Sequence, residues 1–333
     1  MKFSILTEGG RDIGFGHIAR CVALYQGFEE EGITPELLIN GDETVKDSLK
    51  GINCSIFNWL SEEEKTFNII GRADVVIIDS YLASLGFYNK VSRLVETSVY
   101  VDDYKRLNYP KGIIVNGNIY AQRSDYPCNN ENIYLLGPEY VPLRKAFWDV
   151  PGKNIRENVE AVMITAGGSD KFNITPRILK TLVDNFPGFT KNVIIGKGFE
   201  NIDRIEKATD RNTKLIRDAN VGDMQRIMLD SDIAISAGGQ TLYELARVGT
   251  PTIGIYVAKN QRLNLEYWQK NGFIEYLGLY KDNNLLDKMT TTINRSISYE
   301  KRVEQSKIGR SHVDGKGVER IVGRILSASV RTG

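Results

Sequence analysis

The sequence predicts an α/β protein built from two doubly wound halves, and three observations carry that prediction. Short β-branched runs alternate with amphipathic helical patterns along the whole chain, the rhythm of parallel sheets covered on both faces. The rhythm breaks between Gly137 and Arg156, where Pro138, Pro142 and Pro151 cluster. Three glycine loops, Gly14-Phe15-Gly16, Gly167-Gly168 and Gly238-Gly239, each fall between an expected strand and an expected helix. Two Rossmann-like domains facing each other across a cleft follow, with residues 1–145 and 146–333 as their bounds. Ligands of such sheets bind outside the carboxyl ends of the strands, where all three loops lie.

The first half opens with the apolar strand Phe3–Leu6, a long loop from Thr7 to Ile13, and the helix Ile18–Glu31. Further strands are expected at Glu36–Ile39, Ser55–Phe57, Val75–Ile78, Ser98–Val101, Gly112–Val115 and Ile133–Leu135, with a helix at Phe87–Val95. Val75-Val76-Ile77-Ile78 has no polar alternation, so it reads as a strand buried on both faces. The second half repeats the pattern. Its strands are Ala161–Thr165, Asn192–Ile195, Thr213–Ile216, Ile233–Ser236, Thr252–Ile255 and Glu275–Leu277. Its helices include Thr175–Phe186, Val221–Ser231, Thr241–Val248 and Asn260–Asn271.

The bulk properties agree with two domains, since 333 residues exceed the ~250–300 at which single cores stop growing. Forty-three basic and 42 acidic residues leave a net charge of +1. That balance supplies no field for nucleic acid or an anionic membrane, so a small-molecule partner is expected. Cys21, Cys54 and Cys128 form no CxxC pair and read as reduced thiols. No signal peptide and no membrane-spanning apolar run is evident, and a cytoplasmic protein is expected. Oligomeric state is not legible.

The most informative run is Gly14-Phe15-Gly16-His17-Ile18-Ala19-Arg20, because a glycine loop opening a helix gathers free backbone N–H groups that bind anions. His17 sits at that helix start and is one of two histidines. A neutral imidazole there suits a general base, and the positive helix end disfavours its charged form. The run also fits the GxGxxA dinucleotide turn, with Asp42 after the next strand, although the Thr7–Ile13 loop is long for one. Gly167-Gly168-Ser169-Asp170 and Gly238-Gly239-Gln240-Thr241 are the stronger glycine loops, able to present N–H groups to a diphosphate. Glu244 lies three residues beyond Thr241 and reads equally as a capping-box carboxylate or a ribose ligand. Asn260 and Gln261 either read a nucleobase or sugar, or cap their helix. Asp79-Ser80-Tyr81 and Asp102-Asp103-Tyr104 end neighbouring strands, where acidic residues face a cleft or cap helices. His312 reads as structural. No metal-ligand spacing, serine elbow or P-loop is present, and no cofactor is expected.

Taken in order, these motifs resemble the PseG/SpsG family of UDP-sugar hydrolases, related in fold to the MurG-type GT-B glycosyltransferases. The resemblance rests on Ile13 to Cys21, Asp79-Ser80-Tyr81, Asp102-Asp103, Leu143 to Phe147, Gly167 to Asp170, Gly238 to Leu245, Gly249-Thr250-Pro251, Asn260-Gln261 and Asp314 to Gly317. It implies that His17 is the general base and that Gly14, Gly16, Arg20, Asp79, Tyr81, Asn260 and Gln261 surround the substrate. It implies that Gly167, Gly168, Ser169, Gly238, Gly239, Gln240 and Thr241 hold UDP, with Glu244 on the ribose. The chain departs from the family pattern at Thr7-Glu8-Gly9-Gly10-Arg11, where the family often has a polar-acidic run, at Ala146, usually Glu, and at Gln240, more often Ser. The implied reaction is attack of His17-activated water on the anomeric carbon, with inversion and loss of UDP. Asp12 or Asp79 would fix the imidazole tautomer. The competing readings are a GT-B transferase, a hydrolysing UDP-sugar 2-epimerase, a nucleotide-sugar sensor and a dinucleotide enzyme. A transferase of the MurG type calls for an apolar or basic patch near the first-half loops, and none is evident in the sequence.

Overall fold

A computed structural model describes residues 1–11, 13–49, 51–122, 125–127, 131–200 and 202–329. The chain divides into two compact units, Met1–Lys145 with Gly315–Gly333, and Ala146–Asp314.

The first unit holds strands β1 (Phe3–Gly9), β2 (Glu36–Gly41), β3 (Cys54–Ile56), β4 (Val75–Asp79), β5 (Thr97–Val101), β6 (Ile113–Asn116) and β7 (Ile133–Leu136). They form one sheet in the order β3-β2-β1-β4-β5-β6-β7, parallel at every pairing. Helices α1 (Gly16–Glu30), α2 (Glu63–Ile70) and α3 (Leu85–Leu94) supply crossovers. The central strands β1 and β4 are buried along their whole length, as continuous apolar runs in a covered parallel sheet require. Leu6, Leu38, Val76, Ile78, Phe87 and Val91 share one core cluster with the buried Trp59.

Strand β1 runs three residues past the expected end at Leu6, so the long loop from Thr7 is replaced by a short one after Gly9. Both Thr7 and Glu8 are buried; the Glu8 carboxylate and the Thr7 backbone carbonyl have distant partners, while the Thr7 hydroxyl is a buried atom with none among the described residues. The Trp59 indole N–H donates to the Thr7 carbonyl at 2.7 Å, and Glu8 is engaged from the β4 side. Gly10 and Gly14 then exchange two backbone hydrogen bonds of 3.0 and 2.7 Å, which tie the loop into a narrow bridge. The φ of +95° at Gly14 is a conformation that glycine adopts without strain.

The second unit holds β8 (Ala161–Thr165), β9 (Thr190–Ile195), β10 (Thr213–Arg217), β11 (Ile233–Ala237), β12 (Thr252–Tyr256) and β13 (Ile274–Leu279). Their order is β10-β9-β8-β11-β12-β13, again parallel throughout. Helices α4 (Ile174–Asn185), α5 (Ile202–Lys207), α6 (Val221–Asp230), α7 (Gln240–Val248), α8 (Arg262–Lys270), α9 (Leu285–Ser296) and α10 (Tyr299–His312) complete it. In each sheet the strand order reverses once, between β1 and β4 and between β8 and β11. A ligand crevice opens at such a reversal, because the connections on either side leave in opposite directions.

The C-terminal helix α11 (Gly317–Ser329) packs on α1, in the first unit. The expected second domain of 146–333 is therefore corrected at its end, where residues from 315 return to the first unit. Two glycines explain this return. A Cβ at Gly27 in α1 would lie 2.2 Å from Val318 Cγ1, and one at Gly317 would lie 2.2 Å from the Val141 carbonyl oxygen. Neither signal is visible without the three-dimensional neighbour. Gly27→Ala is expected to lower the unfolding free energy by about 1–3 kcal/mol through overpacking. Urea unfolding checks this, and an unchanged midpoint would show that α11 does not depend on this contact.

Candidate functional site

His17 is the second residue of α1, just after the glycine loop that follows β1. Asp79 is the last residue of β4, registered against Thr7 on β1. The two therefore meet at the strand reversal of the first sheet. His17 Nδ1 lies 2.6 Å from Asp79 Oδ1. Asp79 is wholly buried, and 8% of the His17 side-chain surface remains open. Asp12, the other residue considered for orienting the ring, lies outside the described residues.

One turn further along α1, Arg20 reaches the same carboxylate. Its Nε donates to Asp79 Oδ2 and an Nη2 hydrogen to Oδ1 at 2.7 Å. Its Nη1 donates to Asp103 Oδ1 at 2.6 Å. Asp103 follows β5, the neighbouring strand. Arg20, expected among the substrate contacts, is 9% exposed, with its fork set between two carboxylates. Bidentate pairing of this kind is what a planar guanidinium provides and an ammonium does not.

The electrostatics follow from burial opposed by pairing. Burial alone would raise the Asp79 carboxyl, but Arg20 and then His17 outweigh it and hold Asp79 far below the ordinary carboxylate range. Burial likewise pushes Asp103 up, and Arg20 pulls it below its usual value. The same two carboxylates overcome the burial penalty on Arg20 and hold its guanidinium firmly charged. The buried Cys21 thiol is pushed well up by desolvation and by Asp79, to which its Sγ donates at 3.6 Å. The nearest charge to His17 is thus a carboxylate.

Tyr81 closes the site. Its ring meets the His17 ring edge to face, with centroids 4.3 Å apart, and its hydroxyl donates to Asp103 Oδ2. Its backbone N–H donates to Glu8 Oε1 at 2.6 Å, while the Ser80 hydroxyl donates to Glu8 Oε2 at 2.5 Å. Glu8 therefore sets the course of the chain as it leaves β4. Asp103 and Glu8 were not among the expected site residues. An acidic residue at the adjacent strand end was the available signal for Asp103; for Glu8 it was the Thr7–Arg11 run, compared with the family's polar-acidic stretch but read as loop. Asp42, the acidic residue of the dinucleotide reading, accepts from Arg11 N–H at 2.9 Å and Thr44 N–H at 2.8 Å, fixing its own loops.

In the second unit the two glycine loops follow β8 and β11, at the strand reversal of that sheet. Gly167 has a φ of +86° with open space where a Cβ would stand, and Asp170 caps α4 through Ile174 N–H at 2.9 Å and Thr175 N–H at 2.8 Å. Gly238 is required by packing, because a Cβ would lie 2.6 Å from Leu265 Cγ. The Asn264 amide donates to the Gly238 carbonyl at 2.8 Å and accepts from the Tyr243 hydroxyl at 2.6 Å, which holds the loop from below. Gly239 is the N-cap of α7, with no side-chain cap on the first turn, so Gln240 and Thr241 lie inside the helix. Glu244 is then the fifth helical residue rather than the third, which removes the capping-box reading. Its side chain is buried. Gln261 accepts from Val257 N–H at 3.2 Å and Ala258 N–H at 3.3 Å, fixing its own turn, and Asn260 beside it is exposed. Ser169 is partly buried beside Gly168. His312 ends α10, with Nδ1 2.9 Å from the Ile308 carbonyl and its ring against Trp268. Cys54 is a free thiol, as is Cys21, and Cys128 lies outside the described residues. Among the described residues no helix is long and apolar enough to cross a membrane.

No protein-family model matches the chain. Three curated proteins are distant relatives. An uncharacterised protein of Methanocaldococcus jannaschii is 25% identical over 311 residues, 88% of this chain and 63% of that protein. A Helicobacter pylori protein named pseudaminic acid cytidylyltransferase and UDP-2,4-diacetamido-2,4,6-trideoxy-beta-L-altropyranose hydrolase is 27% identical over 86% of this chain and 49% of its own length. The chain thus spans about half to two thirds of these two relatives. The spore coat polysaccharide biosynthesis protein SpsG of Bacillus subtilis is 23% identical, with 96% of each chain covered. Among solved structures, MurG of Acinetobacter baumannii superposes with a TM-score of 0.69 at 13% identity, covering 98% of this chain and all of that one. UGT89C1 of Arabidopsis thaliana, complexed with UDP, gives 0.71 at 10% identity, covering 97% and 99%. The fold is that of the GT-B glycosyltransferases.

Asp79 gives a measurable stability signature. Its folded pKa lies below its unfolded one, so its contribution is complete above the unfolded value of about 3.9 and is lost as pH falls beneath it. Asp79→Asn is expected to cost about 3–5 kcal/mol near neutral pH by leaving Arg20 short of a partner. The gap between wild type and variant should narrow by roughly 1 kcal/mol at about pH 3. Guanidinium unfolding at both pH values checks this, and a pH-independent gap contradicts the assigned ionisation.

Proposed function

We propose that this protein hydrolyses a UDP-linked amino or deoxy sugar to UDP and the free sugar, in the making of a surface polysaccharide. The observation that carries the reading is the buried His17–Asp79 pair at the strand reversal of the first sheet, 2.6 Å apart. The names of the Helicobacter and Bacillus relatives, which carry a UDP-sugar hydrolase and polysaccharide biosynthesis, support it.

An ionised Asp79 has no proton to give, so the short contact is a bond donated by His17 Nδ1–H. Nε2 then carries the lone pair. In the proposed reaction Nε2 takes a proton from water as the water oxygen bonds to the anomeric carbon. The bond from that carbon to the UDP oxygen breaks, its electron pair leaves with UDP, and the anomeric configuration inverts. Arg20, Asp79 and Asp103 sum to one negative charge, so the imidazolium formed in this step is compensated as it appears. UDP is a good leaving group and asks for no strong general acid.

On the second unit, the reading gives the UDP diphosphate to the loops Gly167-Gly168-Ser169 and Gly238-Gly239-Gln240-Thr241. There α7 starts from its N-cap Gly239, which has no side chain to cap it, and a helix start favours negative charge. Glu244 is assigned to the ribose hydroxyls, and Asn260, Gln261 and Tyr81 to the rest of the substrate, with Gly14 and Gly16 leaving room beside His17. A Cβ at either of these two glycines would meet nothing within 4 Å.

A transferase is the second reading, and one observation favours it. Contrary to the expectation from sequence, Ile13, Leu82 and Tyr104 are 42%, 55% and 46% exposed on the loops after β1, β4 and β5. An acceptor with an apolar face would find surface there.

His17→Ala is expected to lower UDP release by roughly 10²–10⁴-fold while UDP still binds. Near-normal turnover would remove His17 as the base. In ¹⁸O-water the label is expected in the sugar; label in UDP would mean that phosphorus, not carbon, is attacked.

A further inference from the structure

The contacts around His17 admit two tautomers, and the choice between them falls to a residue that takes no proton in the proposed reaction. Nδ1 lies 2.6 Å from Asp79 Oδ1 and 3.0 Å from Arg20 Nη2. If Nδ1 carries the proton, it donates to Asp79 and leaves Nε2 as a base. If Nδ1 carries a lone pair, it accepts from Arg20, and Nε2 holds the proton and takes none. Arg20 is therefore able to spoil the base as a donor or to secure it as a counter-ion.

We infer that Arg20 is a positioning residue, which keeps Asp79 ionised and so fixes the proton of His17 on Nδ1. The inference rests on the reading of His17 as the base. Asp79 Oδ1 accepts from Arg20 Nη2 at 2.7 Å and Oδ2 from Arg20 Nε, so the fork covers both oxygens. A guanidinium charge set against both oxygens favours the ionised carboxylate over the protonated one. A lone pair at Nδ1 would then face an anionic oxygen at 2.6 Å, an arrangement the protonated Nδ1 converts into a charge-assisted bond. Asp103 completes the device from the other side. Its Oδ1 accepts from Arg20 Nη1 at 2.6 Å and from the Asn118 amide at 3.1 Å, and its Oδ2 accepts from Tyr81. One aspartate thus aligns the guanidinium behind the ring and the phenol in front of it. Among the described residues, the charged and titratable groups near His17 are Asp79, Arg20, Asp103, Tyr81, Cys21 and, behind Tyr81, Glu8 and Tyr104.

The arrangement makes a prediction for the ring itself that needs no turnover. With two histidines in the chain, a His312→Gln background leaves His17 as the one imidazole in a ¹⁵N–¹H correlation spectrum. The wild-type ring is expected to show the Nδ1–H tautomer, with an Nδ1 proton shifted downfield by its carboxylate partner. Arg20→Met should move the ring to the Nε2–H tautomer, because Asp79 and Asp103 left without a counter-ion take up a proton. The same variant should lower kcat by about 10²–10⁴-fold, the share a positioned general base contributes, with KM within a few-fold. Arg20→Lys keeps a cation beside Asp79 and should retain the Nδ1–H signal with a smaller loss of kcat. It also keeps the test open should Arg20→Met fail to fold. A wild-type ring already in the Nε2–H form, an unchanged tautomer in Arg20→Met, or loss of the Nδ1–H signal in Arg20→Lys would overturn the inference. If the tautomer changes as stated but no UDP-sugar is turned over by the wild type, the positioning role stands and the hydrolase reading falls.

Discussion

A buried carboxylate must be matched or it will take up a proton, and the first unit of this protein is arranged around that constraint. Asp79 sits at the end of a strand with no exposed surface. The strand order places α1 over it, and α1 supplies both His17 and Arg20, three residues apart on one face. The same apolar runs that make β1 and β4 central strands therefore force the carboxylate into the protein and bring its partners to it. Remove the reversal of strand order and the glycine loop would deliver His17 to a sheet surface with no anion behind it.

The second unit uses the same topology for a different end. Two glycine loops stand at its reversal, one with a left-handed glycine and open space, the other held from below by Asn264 and Tyr243. Backbone N–H groups at helix starts suit the diffuse negative charge of a diphosphate, whereas a proton-transfer site needs a group that titrates. The division of labour in the proposed function, chemistry on one unit and nucleotide on the other, follows from what each reversal contains.

Much of this was legible in the sequence, for physical reasons that differ by element. The buried strands announce themselves, because Val75-Val76-Ile77-Ile78 and Ile233-Ala234-Ile235 cannot face water on either side. His17 and Asp79 were legible as a loop histidine and a strand-end acid, residue types whose chemistry is exposed by their position. The end of β1 was not, because Thr7 and Glu8 look like loop residues until Trp59, Ser80 and Tyr81 are known to bind them from more than fifty residues away. The burial of Arg20 was not legible, since its partners Asp79 and Asp103 lie at or just after the ends of two other strands. The docking of α11 on α1 depends on the missing side chains of Gly27 and Gly317, and a glycine in a sequence does not say what has moved into its space. Local patterns carry strands and loops; long-range pairing carries the ionisation of the site.

The central claim is that water, and not an acceptor hydroxyl, is the nucleophile that this base serves. The most direct test is to incubate the purified chain with a panel of UDP-linked amino and deoxy sugars and no acceptor, and to follow UDP and the sugar together. The account predicts UDP and free sugar in equal amounts, with the sugar configuration at carbon 2 unchanged. UDP that appears only when an acceptor is added, or a sugar inverted at carbon 2, would contradict it.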